Sequence, residues 1–437
     1  MVAHAIPLPD LSSPAPPLAD ELVTDANIER ILAAVRGHLG VEIAFVARYV
    51  EDGQRELTHV NTELDLPMGP GFRNPVEEGY CWHILHGRLP ELIRDSADHS
   101  LCGTMAITDF LPVGCHLNVP LRLSDGTVWG SFCALGRQPD RSLTDRDLGV
   151  VKAFAGLAAE RIEASLEGDM QSALTRRQIE EMLDGHAISI FQQPIHALAT
   201  GKPVGVECLA RFPNATRTGP DVWFNDADSV GLGIELEMTA VRCALETLSH
   251  VPKGLYAAIN ASPETIMSGA LARELERHDV SNIVVEVTEH HQIADFASLR
   301  DALDDIRGRA RIAIDDVGTG YAGLRHIVDL NPDILKMDMS LTRDIHLDPA
   351  RRALTVALVG FASEIGCKLV AEGIETEEEF AMMTELGVDY GQGYYISRPL
   401  PVVAAQHHLL GADTQSDPLL DTSAAPGSGT QTLLKRA

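Results

Sequence analysis

RIAIDDVGTGY, residues Arg311 to Tyr321, is the stretch on which the fold of the C-terminal half turns. Ile312, Ala313 and Ile314 form an apolar run that reads as a strand buried on both faces. The run stops at two adjacent carboxylates, Asp315 and Asp316, after which Gly318, Thr319 and Gly320 permit a tight turn. Two acids side by side at a strand end repel unless a cation lies between them or one stays protonated. Asp315 and Asp316 are therefore candidate metal ligands. Taken alone, the pair would be better read as a solvated surface turn; repetition elsewhere in the chain decides otherwise.

From about Ala187 to Pro401, apolar strand-like runs alternate with helical stretches, the pattern of βα units and a parallel sheet. Each run carries a polar or charged residue in or near its end. ISIFQQPI carries Gln193, VGVECLARF carries Glu207 and Arg211, and YAAINAS carries Asn260. IVVEVTE carries Glu286 and Glu289; after Asp315 and Asp316, ILKMD carries Lys336 and Asp338, LVAEGIE carries Glu372 and YGQGYYISRPL carries Gln392. Eight runs so marked describe a TIM-like (β/α)8 barrel, an α/β fold whose site lies on the C-terminal rim.

Any single member has a plain explanation: a turn former for Asn260, a helix N-terminal acid for Glu286, a surface charge for Lys336. Their convergence is harder to dismiss, because acids buried beside apolar strands cost several kcal/mol unless paired or metal-bound. Glu207, Asn260, Glu286, Asp315, Asp316 and Glu372 make an all-oxygen set that suits Mg2+ or Mn2+ rather than zinc, with carboxylates enough for two ions. Two metals bridged by a carboxylate are the usual apparatus for in-line attack of water on a phosphodiester. Lys336 and Arg211 would supply the fixed positive charge that a phosphate needs.

In this order these residues resemble the EAL-domain phosphodiesterases, which hydrolyse cyclic di-GMP to linear pGpG. The resemblance rests on Gln193-Pro-Ile195, Glu207-Cys-Leu209 with Arg211, Asn260, Glu286-Val-Thr-Glu289, Asp315-Asp-Val-Gly-Thr-Gly320, Lys336-Met-Asp338, Ala371-Glu-Gly-Ile-Glu-Thr376, Gly391-Gln-Gly393 and Ser397-Arg-Pro399. It implies that Glu207, Asn260, Glu286, Asp315, Asp316 and Glu372 hold the metals, and that Lys336 orients or deprotonates the attacking water with Asp338 beside it. Gln193, Arg211 and Gln392 would contact the dinucleotide, and Glu289 would brace the loop after Asp316. The sequence departs from the family at Cys208, where Ala is usual, at Val317, where Phe is usual, and at Ala322-Gly323, where Ser-Ser is usual. Alternation along a strand turns Cys208 to the barrel exterior. His290 and His291 read as a solvent-facing helix start rather than as zinc ligands. No GG[DE]EF-like segment occurs, so cyclase activity is not expected. A non-catalytic cyclic di-GMP receptor is the rival reading; the retained metal and Lys positions favour the enzyme.

A chain of 437 residues implies two domains or more. Lys and Arg number 35 against 63 Asp and Glu, a net charge of −28, which repels nucleic acid and disfavours anionic membranes. The start, MVAHAIPLPDLSSPAPPLAD, lacks the basic and apolar regions of a signal peptide, and no apolar run reaches spanning length, so a cytoplasmic protein is expected. Seven scattered cysteines without CxxC spacing fit reduced thiols.

The N-terminal half reads as α+β. Residues 1–24 and 411–437 are expected to be disordered tails. Between them, IERILAAVRGHL has helical spacing, VEIAFVARYV alternates as a strand, and NVPLRLSDG and TVWGSFCALG form a hairpin turning at Ser124, Asp125 and Gly126. With EEGYCWHILHGRLPELIRDS and the helix entry LTDRDLGVVKAFA, these segments resemble a GAF domain, over 25–165. The resemblance implies a sensor role or dimerisation; the GAF ligand stays unassigned. Cys81, His83 and His86 invite a haem or bilin reading, but a polar face and a core edge account for histidines three apart on a helix. Thr144 and Asp147 make a capping box, and Leu148, Val151, Ala155, Ala158, Ile162, Leu166 and Met170 recur at helical steps. Beyond Ile162 that helix is expected to leave the domain as a connector, 166–183, forming a short coiled coil between the subunits of a homodimer. The EAL domain is expected over 184–410.

Overall fold

The computed structural model describes residues 25–50, 53–105, 107–108, 111–185, 187–213, 219–278, 282–288, 295–318 and 324–411. The expected tails fall, but for Gly411, outside the described residues. The chain separates into two compact units, dividing after Leu174.

The N-terminal unit is an antiparallel sheet of six strands: β1 (Ile43–Val50), β2 (Gln54–Thr62), β3 (Arg73–Pro75), β4 (Leu92–Ile93), β5 (Cys115–Arg122) and β6 (Val128–Gly136). Their order is β3-β2-β1-β6-β5-β4. The hairpin β5–β6 turns where the sequence places it, with Gly126 at φ +88° and Leu123 N–H donating to the Thr127 carbonyl. The helix Ala26–Leu39 buries Ile28, Leu32, Val35 and Leu39, the apolar side of its repeat, against this sheet.

Helix Asp145–Asp184 runs unbroken for 40 residues and starts at the expected cap, with Thr144 and Asp147 bonding each other's backbone N–H. Its apolar stripe does not leave the core of the N-terminal unit at Ile162. Val151, Ala155, Ala158, Ile162 and Leu166 all pack into that core, and past them Met170 and Leu174 are exposed. The segment expected as a free coiled-coil seam is thus shortened by a full turn, because Leu166 finds apolar partners on its own sheet. Further along, Ile179 and Met182 are buried in the core of the second unit.

That second unit is a closed barrel of eight strands: β7 (Ser189–Ala197), β8 (Pro203–Arg211), β9 (Tyr256–Ala261), β10 (Ile283–Val287), β11 (Arg311–Val317), β12 (Ile334–Met337), β13 (Lys368–Ala371) and β14 (Tyr390–Gly391). β14 pairs back onto β7, and a two-residue β15 (Leu400–Pro401) also pairs with β7. β8 to β14 are parallel, as expected. β7 is antiparallel to both its neighbours, contrary to the uniform βα pattern expected. The cause is local: the link from Ala197 to Pro203, with Gly201 at φ +65°, is a turn too short for a crossover helix, so β7 and β8 form a hairpin.

Two apolar layers build the barrel. Helices and outward-facing strand residues such as Val285, Ile312, Leu335 and Leu369 form the outer core. Inside lies a small plug of Ile195, Tyr256, Ala258, Val284, Ala313, Ile334 and Val370. Cys208 packs into the outer layer, as alternation requires.

Candidate active site

The site rests on the inner plug and follows from a period of two. One layer above Ala258 comes Asn260, above Val284 Glu286, above Ala313 Asp315, above Ile334 Lys336, above Val370 Glu372 and above Tyr390 Gln392. In β8 the plug position is Gly205 and the residue above it Glu207; a Cβ on Gly205 would stand 2.7 Å from the Tyr256 ring. Because β7 runs the other way, its upper residue precedes its plug residue: Gln193 comes before Ile195 and pairs directly across from Glu207. Eight strands thereby turn eight polar side chains onto one floor.

Lys336 is at its centre, 1% exposed. Its Nζ lies 2.6 Å from Glu372 Oε1, 2.8 Å from Glu286 Oε2, and 3.4 Å from both Glu207 Oε2 and Asp315 Oδ1. Glu207 also accepts from Asn260 Nδ2 at 3.0 Å and from Gln392 Nε2. Gln392 reaches Gln193 Oε1 at 3.2 Å, and Gln193 donates to the Ser397 carbonyl at 3.0 Å. Gln392 Oε1 is a buried acceptor without a partner among the described residues.

Adjacent residues of a regular strand face opposite sides, yet Asp315 and Asp316 both serve the site. A register shift after Ile314 and a left-handed φ of +52° at Asp316 break the alternation. Oxygens of Asp315, Asp316 and Glu372 consequently lie within 4.8 Å of one another. The turn that follows needs Gly318, at φ +115°, where a Cβ would also meet Leu341.

One ammonium does not balance this ring. Burial pushes the Glu372 carboxyl up to about 8, against the pull of Lys336 and helped by Asp315 and Glu207. Burial likewise holds Glu286 well above the carboxylate range. For Glu207, Lys336 and the hydrogen bonds from Gln392 and Asn260 outweigh burial, and the acid is lowered. Lys336 is raised well above its ordinary value, its own burial being overcome by Asp315 and the three glutamates. An all-oxygen donor set with more negative charge than its lysine can neutralise fits added divalent cations.

Of the residues expected here, Gln193, Glu207, Asn260, Glu286, Asp315, Asp316, Lys336, Glu372 and Gln392 come together. Arg211 stands at the end of β8 over the Phe191 ring, where it lines a cavity of about 520 Å3 with Asn260, Phe224, Ile234 and Ser262. Asp338 follows β12, where its side chain caps helix Met339–Thr342 by accepting from Ser340 N–H at 2.9 Å. Glu289, His290 and His291 lie outside the described residues, as do Ala322 and Gly323. The Ser397 carbonyl and the cavity wall from helices Pro220–Ser229 and Gly233–Glu246 carried no strand-end signal and were not anticipated.

The EAL domain family model matches residues 176–399, and a GAF domain model matches residues 25–163. The chain belongs to the EAL-domain family. Its EAL domain is 33% identical over 227 residues to a cyclic di-GMP phosphodiesterase of Pseudomonas aeruginosa, covering 48% of this chain and 38% of that protein. It is 28% identical over 235 residues to PdeD of Escherichia coli, named a probable cyclic di-GMP phosphodiesterase, covering 52% of this chain and 44% of that one. The chain thus spans less than half the length of these relatives. In fold it is similar to the EAL enzyme Bd1971 in a cAMP-bound structure, with a TM-score of 0.51 at 20% identity, covering 84% of this chain and 93% of that one. The GAF domain preceding this EAL domain has its Cys81 at a cavity of about 20 Å3, too small for a haem or bilin. His83 and His86 are bonded to the carbonyls of Glu77 and Trp82, so both have structural work. Among the described residues no helix is long and apolar enough to cross a membrane.

Proposed function

We propose that the EAL domain is a divalent-metal-dependent phosphodiesterase that hydrolyses cyclic di-GMP to linear pGpG. The observation that carries this reading is the single lysine ringed by carboxylates from the ends of four different strands on the barrel floor. The relatives' names supply the substrate class.

Glu207, Asn260, Glu286, Asp315, Asp316 and Glu372 would hold Mg2+ or Mn2+, two ions being accommodated by the number of carboxylates. The chemistry such ions supply is Lewis acidity, which makes water nucleophilic near neutral pH and offsets charge on the phosphate. Lys336, at the centre of the floor, would orient or deprotonate the attacking water. Arg211, at the mouth of the cavity, pairs with the second phosphate, and the apolar wall of Phe224 and Ile234 receives a base. Gln193 and Gln392 hold Glu207 in place and offer the unpartnered Gln392 Oε1 to the substrate. Asp338 positions the chain after Lys336 through its cap. Glu289 is assigned the loop after Asp316 by its place in the motif alone. The GAF domain would regulate hydrolysis, in a homodimeric, cytoplasmic protein that binds neither nucleic acid nor membrane.

The test is incubation of the purified chain with cyclic di-GMP and Mg2+ or Mn2+, following pGpG by chromatography, with a chelator control. Metal-dependent pGpG supports the enzyme. Tight binding in Ca2+ with no turnover under any metal points instead to a receptor.

A further inference from the structure

The GAF domain holds a second cluster of reactive groups, unrelated to the barrel chemistry. Cys81, at the start of the helix Tyr80–Leu85, and Cys133, on β6, bring their sulfurs to 3.1 Å inside the buried core. Each sulfur receives a further donor: Arg55 Nη1 lies 3.3 Å from Cys81, and Asn118 Nδ2 lies 3.0 Å from Cys133. His116, on β5, closes the third side of the cluster. Burial raises the thiols of the other five cysteines, Cys102, Cys115, Cys208, Cys243 and Cys367. Cys81 alone is pulled well below the thiol range, by the Cys133 thiol first, then by His116 and Arg55, against its burial. Burial and the neighbouring Cys81 hold Cys133 well above it. The Arg55 guanidinium against Cys81 favours that sulfur as the nucleophile, with the Cys133 sulfur in contact with it.

We propose that Cys81 and Cys133 form an oxidisable dithiol that reacts with hydrogen peroxide to give an intradomain disulfide. The cavity of about 20 Å3 lined by Arg55, Tyr80, Cys81 and His116 has room for one water-sized molecule at the nucleophile. The Cys81 thiolate attacks one peroxide oxygen, the O–O bond breaks, and hydroxide leaves to be protonated to water. Cys81 becomes a sulfenic acid. Cys133 sulfur then attacks Cys81 sulfur, the S–O bond breaks, and the departing hydroxide takes the Cys133 thiol proton. Two thiols are oxidised to one disulfide and one peroxide is reduced to two waters. From 3.1 Å the sulfurs need to close by only about 1 Å to bond.

A metal is the competing use of the same residues, since Cys81, His116 and Cys133 would offer zinc three ligands. Two features weigh against it. Two sulfurs at about 2.3 Å from a tetrahedral zinc stand about 3.8 Å apart, wider than the pair here. The Arg55 guanidinium also places a positive charge against Cys81, which favours a thiolate and opposes a cation.

The experiment uses the full chain, reduced, then treated with hydrogen peroxide at up to about a tenfold excess, alkylated under denaturing conditions and mapped by peptide mass spectrometry. The expected product is a Cys81–Cys133 crosslink with the other five cysteines alkylated. C133S should leave a dimedone-trappable sulfenic acid on Cys81, while C81S should leave Cys133 unmodified. Recovery of Cys81 and Cys133 as free thiols after peroxide overturns the proposal. So does one equivalent of tightly held zinc that shields them, or a first adduct on Cys133 rather than Cys81. None of these outcomes depends on what the barrel hydrolyses.

Discussion

Lys336 is the residue on which the site's electrostatics turn, and its removal has two separable consequences. K336M should leave cyclic di-GMP affinity within a few-fold but lower kcat by about 100-fold or more, the cost of removing one donor aimed at developing charge. In the metal-free protein it should also cost about 3 kcal/mol in urea unfolding at neutral pH, because the buried ion pairs of Lys336 with Glu207 and Asp315 are lost. Unchanged turnover would remove Lys336 from the chemistry; unchanged stability would mean that the acids neutralise themselves by taking up protons. E207Q keeps the hydrogen-bonding shape toward Gln392 and removes one charge. It should abolish metal-dependent hydrolysis while leaving the circular dichroism spectrum and melting cooperativity intact, and retained activity would sink the ligand assignment. At this scale the floor was legible in the sequence, because each of the eight runs broke with one polar residue at the same height. The strand pattern does not carry what Asp338 does: two residues past Lys336 the chain has already turned into a helix whose first turn it caps.

The strands carry the next level of specification. Period-two alternation, plug residue below and polar residue above, is written in each of the short runs and needs no long-range information. What the runs did not disclose is direction: an apolar strand reads the same whether its neighbour is parallel or antiparallel. The short link between Ala197 and Pro203 held that information, and its length was the overlooked signal. The reversal matters to function, since it sets Gln193 directly opposite Glu207. The plug itself makes a testable demand at Gly205, whose missing side chain leaves the space that the Tyr256 ring fills. G205A would press a methyl to 2.7 Å from that ring, so the mutant should lose about 1–3 kcal/mol in urea unfolding. Activity should fall with it, because the β8 and β9 residues displaced by the ring carry Glu207 and Asn260. A variant as stable as the parent would mean that Tyr256 moves freely, and that the floor is less rigidly packed than its burial implies.

At the scale of the whole molecule, a chain of net charge −28 would meet, in the proposed substrate cyclic di-GMP, a dianion, so the proposed hydrolysis would have to rest on local cations and on Arg211 rather than on long-range attraction. The same scale decides where the catalytic unit begins. Reading the helix as a connector up to residue 183 treats its last turns as dispensable. Yet Ile179 is fully buried and Met182 nearly so within the barrel's outer core, and Arg176 bonds the Val230 carbonyl. The periodic stripe could not reveal this, because one unbroken helical repeat serves first one core and then another. A fragment beginning at Gln171 should therefore fold as a cooperative unit and retain metal-dependent hydrolysis. One beginning at Asp184 loses both apolar anchors and should be less stable by about 4 kcal/mol or more, at about 2 or more for each buried side chain deleted. Differential scanning calorimetry on the two fragments measures this directly. Equal melting temperatures would show that the helix end is merely laid against the barrel; a lower, broader transition in the shorter fragment would make those two turns part of the catalytic fold.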